Sequence, residues 1–248
     1  MSQSKKRLIT GCIIVASLIT IFYMCLDFSS LFGLIERNYP TSARRISVLF
    51  VAVIAAIAGK DSISKKDALL MKFSFLAICC AEFLFFLGST YGGIGSFLVS
   101  HILLTIRNSQ GLRQKLLTLD NKLTKLKFIG SGIAIFAIFM LILWFVFFPI
   151  LKFSLLLYIL MVYGLILSAS FWAGAASYIL GLLPKKNSLM VFIGIACFFF
   201  SDILVGLVVI KYPEPYYSIA NSFIWVLYIP AIILLALSCY KPKEQEVK

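Results

Sequence analysis

Two of the ten acids and the only histidine lie well inside apolar stretches of this sequence. They are Glu82, Asp202 and His101. Ionisable groups in a bilayer core are costly and mark functional sites by default. In a dry site two carboxyls and an imidazole differ in proton affinity, so one acid can donate a proton while the other accepts one from water. These residue types predict acid–base catalysis, a transporter's proton relay, or hydrogen bonds that tie helices together.

Further polar residues fall at a comparable depth in other apolar stretches. Tyr163 lies in the stretch before that of Asp202 and Tyr228 in the stretch after it, while Ser201 directly precedes Asp202. A helix rises about 1.5 Å per residue, which puts Glu82 and Asp202 each about 24–26 Å beyond the lysine pair before its stretch. The same arithmetic puts His101 about 15 Å into its own stretch. We therefore predict one buried polar layer shared by residues distant in sequence.

The residue inventory argues against metal and nucleophilic chemistry. A catalytic zinc ion usually has three protein ligands and a water, commonly with several histidines, whereas this chain has one histidine. Glu82, His101 and Asp202 supply three ligands in principle, but nothing in their spacing requires a metal. No Gly-x-Ser-x-Gly motif is present, and no cysteine is close to His101 in sequence. We therefore predict no cofactor and no metal.

The composition indicates what positions these residues. Hydrophobic residues make up 61% of the 248 residues and charged residues 13%, with a mean hydropathy of +1.01. Soluble domains contain about 45–50% apolar and about 25% charged residues, so a soluble globule is excluded, and so is a disordered chain. A spanning helix needs about 20 apolar residues. We predict one integral membrane domain over residues 1–248.

Apolar stretches recur along the chain, separated by charged residues, glycine or proline. They cover about 8–26, 46–59, 68–88, 93–106, 128–148, 153–183, 189–210 and 216–240. We predict an all-α, polytopic bundle of about eight transmembrane helices. Lys and Arg concentrate in alternate connections, which places both termini in the cytoplasm.

The net charge of +13 raises the question of a nucleic-acid partner. The basic residues are scattered between apolar stretches and form no nucleic-acid-reading motif. We therefore predict loop charges that set topology and meet lipid headgroups, with the bilayer as partner and no nucleic acid. Arg44, Arg45 and Lys211 lie near the outer ends of their stretches, where a basic side chain either contacts a lipid phosphate or anchors the chain at the interface, and we predict interfacial anchoring. The oligomeric state stays open.

Three stretches carry motifs in a recognisable order. Residues 73–88 read FSFLAICCAEFLFFLG and contain Ala81-Glu82. Residues 93–106 read Gly-x-x-x-Phe-x-x-x-His, and residues 194–206 read Gly-x-x-x-Phe-x-x-Ser-Asp. Together they resemble the YhhN-like lysoplasmalogenase family of eight-helix membrane proteins, in which Gly-Asp stands where this chain has Ala81-Glu82.

The resemblance implies hydrolysis of the vinyl ether bond of a lysophospholipid substrate, a lysoplasmalogen. Glu82 and Asp202 would be the catalytic carboxyls, and His101 would orient one of them or a water. Ser201, Tyr163 and Tyr228 would be supporting or substrate-binding residues. Two alternatives stay open, a small-solute or proton-coupled transporter and a catalytically degenerate scaffold. The short loops favour a bacterial cell membrane, with an internal eukaryotic membrane as the alternative.

Overall fold

The computed structural model of the protein describes residues 2–36 and 38–241, and within these ranges it is a bundle of α-helices. They are α1 (Gln3–Leu31), α2 (Ile46–Ala58), α3 (Lys65–Phe86), α4 (Thr90–Asn108), α5 (Leu112–Leu117), α6 (Lys122–Ile142), α7 (Phe148–Leu151), α8 (Leu155–Leu180), α9 (Lys185–Val209) and α10 (Tyr216–Ser238). A 3-10 turn, Thr41–Arg45, leads into α2, and a π-helical segment, Leu143–Phe147, joins α6 to α7. The predicted all-α fold is confirmed.

Seven helical segments of the described ranges are long and apolar enough to cross a membrane, so the chain is an integral membrane protein. The eighth long helix, α4, has 19 residues and includes Gly92, Gly93 and Gly95, which make it less apolar. Its length of about 28 Å still approaches the thickness of a bilayer core. The predicted orientation of the termini involves residues 242–248, which lie outside the described residues.

Local signals in the sequence explain several helix ends. The side chains of Ser64, Asn121 and Ser154 accept hydrogen bonds from the backbone N–H three residues later, as N-caps do. Gly181 ends α8 with φ of +64°, a left-handed conformation that suits glycine. These caps place the polar turns at the ends of the apolar stretches.

The centre of the bundle is built around α9. It packs along α10 on one side and against α8 on another, while α3 and α4 run side by side. A Cβ atom on Gly194 would lie 3.0 Å from the Ala231 carbonyl oxygen, so glycine allows α9 and α10 to approach closely. The helices α3, α4, α8, α9 and α10 each contribute one or more of the predicted site residues.

The π-helical segment of the sixth span brings aromatic rings against the centre. A Cβ atom on Gly206 of α9 would lie 2.8 Å from the Phe147 ring, and Phe139 packs on Gly164 of α8 in the same way. Both phenylalanines are buried. Both rings line a cavity between the helices, and π-helical turns are frequent at functional sites.

A buried ion pair lies at the other end of α3 and α4. Arg107 falls just after the predicted apolar stretch 93–106, yet it lies in the last turn of α4 and is 1% exposed. Its Nε donates to Asp67 Oδ1 at 2.7 Å, and Asp67 is itself buried in the first turn of α3. A buried charge requires a paired partner, and the packing of α3 against α4 supplies one.

Candidate active site

Asp202 of α9 is the centre of a buried hydrogen-bond cluster that joins three helices. Its Oδ2 lies 2.8 Å from Nε2 of His101 on α4 and accepts a hydrogen bond from the Tyr163 hydroxyl on α8. His101 is completely buried and Asp202 is 7% exposed. Both contacts fall on Oδ2, and Oδ1 makes no hydrogen bond to the described residues.

Glu82 of α3 has a charged partner instead. Its Oε2 accepts a hydrogen bond from Arg45 Nε at 3.1 Å, and the Glu82 side chain is 12% exposed. Arg45 ends the 3-10 turn before α2. Its side chain is 30% exposed, so Arg45 pairs with Glu82 and also reaches the bundle surface.

Arg44 is buried more deeply than Arg45, with 8% of the residue exposed. Its Nη1 donates to Asp27 Oδ2 at 2.9 Å, its Nη2 donates to Asn221 Oδ1 at 3.3 Å, and its Cζ lies 4.8 Å from the centre of the Trp225 ring. Asp27 is itself buried in α1. Arg44 therefore ties α1, α2 and α10 together.

Glu82 and Asp202 line one cavity of about 620 Å³, which we call the polar chamber. Its other polar walls come from Arg44, Arg45, Ser201, Asn221 and Tyr228. The hydroxyl of Tyr228 is buried near Glu82 but has no partner of hydrogen-bonding geometry among the described residues. The chamber thus presents two carboxyl groups and the Tyr228 hydroxyl to any molecule that occupies it.

A second cavity of about 600 Å³ adjoins the polar chamber, and we call it the apolar pocket. Aliphatic and phenylalanine side chains of α3, α4, α6, the π-helical segment, α8 and α9 line it, together with Tyr163. Phe85, Phe97 and Asp202 line both cavities. Asp202 therefore lies where a polar and an apolar compartment meet.

The remaining predicted residues occupy different positions around these cavities. Ser201 lines the polar chamber, and its Oγ donates to the Ile224 carbonyl at 3.3 Å, which ties α9 to α10. His101 lies behind Asp202 and is not part of either cavity wall. Its Nδ1 is buried without a partner among the described residues.

Sequence reasoning missed the basic and amide groups of the chamber. Arg44, Arg45 and Asn221 all line it. A signal was available, since two adjacent arginines directly precede one of the two shortest apolar stretches. What the pattern lacked was any indication that the guanidinium groups turn inward.

Comparisons with known proteins bear on the region that holds the site. The family model described as the YhhN family matches residues 45–239, a range that contains all six predicted site residues. Neither the curated proteins nor the solved structures contain a match to this chain.

Proposed function

The chain belongs to the YhhN family, and from this premise we propose that it is a membrane-embedded hydrolase that cleaves the vinyl ether bond of lysoplasmalogens. The products would be a fatty aldehyde and a glycerophospho-headgroup compound. One observation carries the proposal: Glu82 and Asp202, from helices distant in sequence, line one chamber beside an apolar pocket.

The two compartments match the two parts of a single-chain phospholipid. The apolar pocket offers hydrocarbon and aromatic walls to one chain, and ligand pockets typically combine such walls with a few placed polar groups. The polar chamber offers Arg45 and Asn221 to the glycerol and phosphate. In a lysoplasmalogen the vinyl ether lies at the junction of chain and glycerol, and Asp202, which lines both cavities, would lie beside it.

The reaction needs a proton donor and a proton acceptor but no nucleophilic side chain. Protonation of the vinyl ether at its β-carbon forms a carbon–hydrogen bond and leaves an oxocarbenium ion. Water adds to the cationic carbon and loses a proton to a base. The resulting hemiacetal then breaks its bond to the glycerol oxygen, which takes up the hydroxyl proton, and the aldehyde leaves. A positioned acid and a carboxylate beside the cation promote these steps.

The partners of the two carboxyls support different roles. Glu82 pairs with the cation Arg45, whereas Asp202 contacts a hydroxyl and the His101 imidazole, a side chain that can take up and release a proton. We therefore assign proton donation to the Asp202–His101 pair and activation of water to Glu82. Tyr163 holds Asp202 in place, and the Tyr228 hydroxyl is available to the substrate.

Aldehyde release from defined lipids tests the proposal. Purified protein would receive a lysoplasmenyl phospholipid and, as the matched control, the saturated 1-O-alkyl lysophospholipid, which has no double bond to protonate. We expect aldehyde from the first lipid alone. Absence of aldehyde from choline and ethanolamine forms, in both detergent and nanodiscs, would refute the activity.

The cellular site is part of the same proposal. We assign the hydrolase to a bacterial cell membrane, where the short connections between the spans leave little protein outside the bilayer. Fractionation of cells that express the protein should recover it with that membrane, and recovery elsewhere would contradict the assignment.

A further inference from the structure

We propose that a groove on the outer surface of the bundle, between α2 and α3, binds a single-chain phospholipid through its phosphate. The groove has a volume of about 690 Å³. The choice of lipid class rests on the proposed function, because this ligand would be the substrate before it reaches the polar chamber. Arg45 is the phosphate ligand in this proposal, and the apolar walls hold the chain.

The walls of the groove suit a hydrocarbon chain. They include large apolar side chains that are roughly half exposed on the bundle surface, namely Ile46 (48%), Leu49 (56%), Phe83 (60%) and Phe86 (58%). The span that contains α2 and the helix α3 are both long and apolar enough to cross a membrane. The groove therefore faces the acyl chains of the bilayer rather than water.

Arg45 gives this apolar groove a site for an anion. Within the described ranges its guanidinium makes one hydrogen bond, from Nε to Glu82, so both Nη groups are available. Its side chain is 30% exposed and lines the groove. A guanidinium has five N–H donors in a planar fork and binds phosphate oxygens in pairs. The two available Nη groups thus favour an apolar-chain lipid whose headgroup carries a phosphate over a lipid without one.

The groove is continuous with the candidate active site through two residues. Arg45 and Glu82 line both the groove and the polar chamber. A phosphate on the Nη groups of Arg45 would therefore lie one side chain away from the Glu82 carboxylate. A lipid could move from bilayer to chamber along α2 and α3 without crossing the water phase.

Two adjacent cysteines provide a built-in test. Cys79 lines the groove, whereas Cys80 is exposed on the bundle surface and does not line it. The protein in nanodiscs of two-chain phosphatidylcholine would be alkylated with N-ethylmaleimide, and fragment mass spectrometry would assign the modified residue. The probe is a 1-O-alkyl lysophosphatidylcholine, which is not cleaved. At ten times its Kd, occupancy should slow alkylation of Cys79 by about tenfold and leave Cys80 unchanged.

Two controls separate phosphate recognition from simple partition into the membrane. A 1-O-alkylglycerol without phosphate, and inorganic phosphate without a chain, should each protect Cys79 far less. Arg45→Gln should abolish protection by the lysophospholipid, and Arg45→Lys, which keeps the charge but loses the fork, should retain part of it. Equal slowing of both cysteines, no slowing of Cys79, or full protection in Arg45→Gln would each overturn the proposal.

The result is independent of hydrolysis. Aldehyde release without protection of Cys79 would reject the groove and leave the proposed function in place. Protection of Cys79 without aldehyde release would support the groove while the proposed hydrolase fails.

Discussion

Two buried ionic clusters lie at opposite ends of α3 and use the same residue types differently. Asp67 lies in the first turn of α3 and Glu82 near its end, about 22 Å apart along the helix. Each carboxylate pairs with an arginine, Asp67 with Arg107 and Glu82 with Arg45. The comparison shows what separates a structural ion pair from one suited to chemistry.

We call the first cluster the lock, and its arginine is fully engaged. Arg107 donates through Nε and Nη2 to Asp67, and through Nη1 to Asn108 and to the Ser238 hydroxyl at 2.9 Å. Asn187 then donates to the Ser238 carbonyl at 2.6 Å. The lock joins α3, α4, α9 and α10 and leaves the arginine no donor group without a bond.

In the polar chamber the corresponding groups are left available. Arg45 donates through one nitrogen, the Tyr228 hydroxyl lies beside Glu82 without full hydrogen-bond geometry, and Asp202 accepts on one oxygen only. Buried polar groups that lack full hydrogen bonding cost stability. We infer that the lock stabilises the fold, whereas the chamber keeps these groups available for a ligand.

The largest expected effect is on catalysis. Asp202→Asn and Glu82→Gln should each lower aldehyde release by about 10²–10⁴-fold, the usual contribution of a positioned acid or base. Asp202→Asn should keep the unfolding temperature near that of the wild type, since the amide has the volume of the acid. Glu82→Gln leaves Arg45 without its carboxylate, and because that side chain is 30% exposed to begin with, the loss of stability should be smaller than for a fully buried pair. Initial rates would be measured beside Glu214→Gln, an exposed acid that lines neither cavity. A wild-type rate in either chamber variant would rule out that carboxyl's role.

Substitutions in the lock should lower stability and leave the catalytic rate unchanged. Arg107→Met leaves Asp67 buried without its partner and should destabilise the fold by about 3–5 kcal/mol. Adding Asp67→Leu should recover much of that loss, because an apolar pair needs no compensation. Denaturant unfolding in detergent measures both, with the rate per folded molecule expected to be unchanged. Equal stability of the single and double variants would show that the two residues are not coupled.

The two clusters should also differ in the stability that is lost when one hydroxyl is removed from each. Ser238→Ala takes a partner from Arg107 and should cost about 1–3 kcal/mol of stability. Tyr228→Phe removes a hydroxyl that lies beside Glu82 without full hydrogen-bond geometry, so the unfolding free energy should fall by less than in Ser238→Ala. Its effect should appear as a raised KM for the lysoplasmenyl lipid. A stability loss in Tyr228→Phe as large as that in Ser238→Ala, with KM unchanged, would show that Tyr228 has a structural role instead.

The smallest expected effect is on the alkylation rate of Cys239, which directly follows α10. Burial raises the pKa of the Cys239 thiol to about 11. Because the thiolate is the reactive form and is about one part in a thousand at pH 8, alkylation of Cys239 should be slow in the folded protein. Asp67→Asn should speed it by loosening the lock, whereas Glu82→Gln should not. Mass spectrometry of timed samples measures both rates, and equal acceleration by the two variants would mean that the clusters are not independent.

Much of the fold could be predicted because hydropathy and capping are local properties of the chain. The apolar stretch 216–240 corresponds to Tyr216–Ser238, and 189–210 to Lys185–Val209. The largest misplacement is the start of α6, at Lys122 rather than 128. Its first turn is polar and capped by Asn121, so an apolar pattern does not register it.

The depth of the site residues in the membrane could be predicted from the sequence, but which side chains contact each other could not. The rise of a helix per residue places Glu82, His101 and Asp202 at comparable levels. Which of the two acids meets His101 depends on how α3, α4 and α9 are rotated about their axes, and in bundles small residues at the contacts set that rotation. The sequence alone left both pairings open.

The sequence by itself determined that this chain is a membrane helix bundle, where its helices lie, and that its carboxyls inside the bilayer require an explanation, because the cost of burying a charge depends on composition and depth. Only the tertiary structure decided which arginines turn inward, that Arg107 forms a lock while Arg45 borders a cavity, and that Asp202 lies between a polar and an apolar compartment. Those outcomes depend on contacts between helices remote in sequence, and no local pattern encodes them.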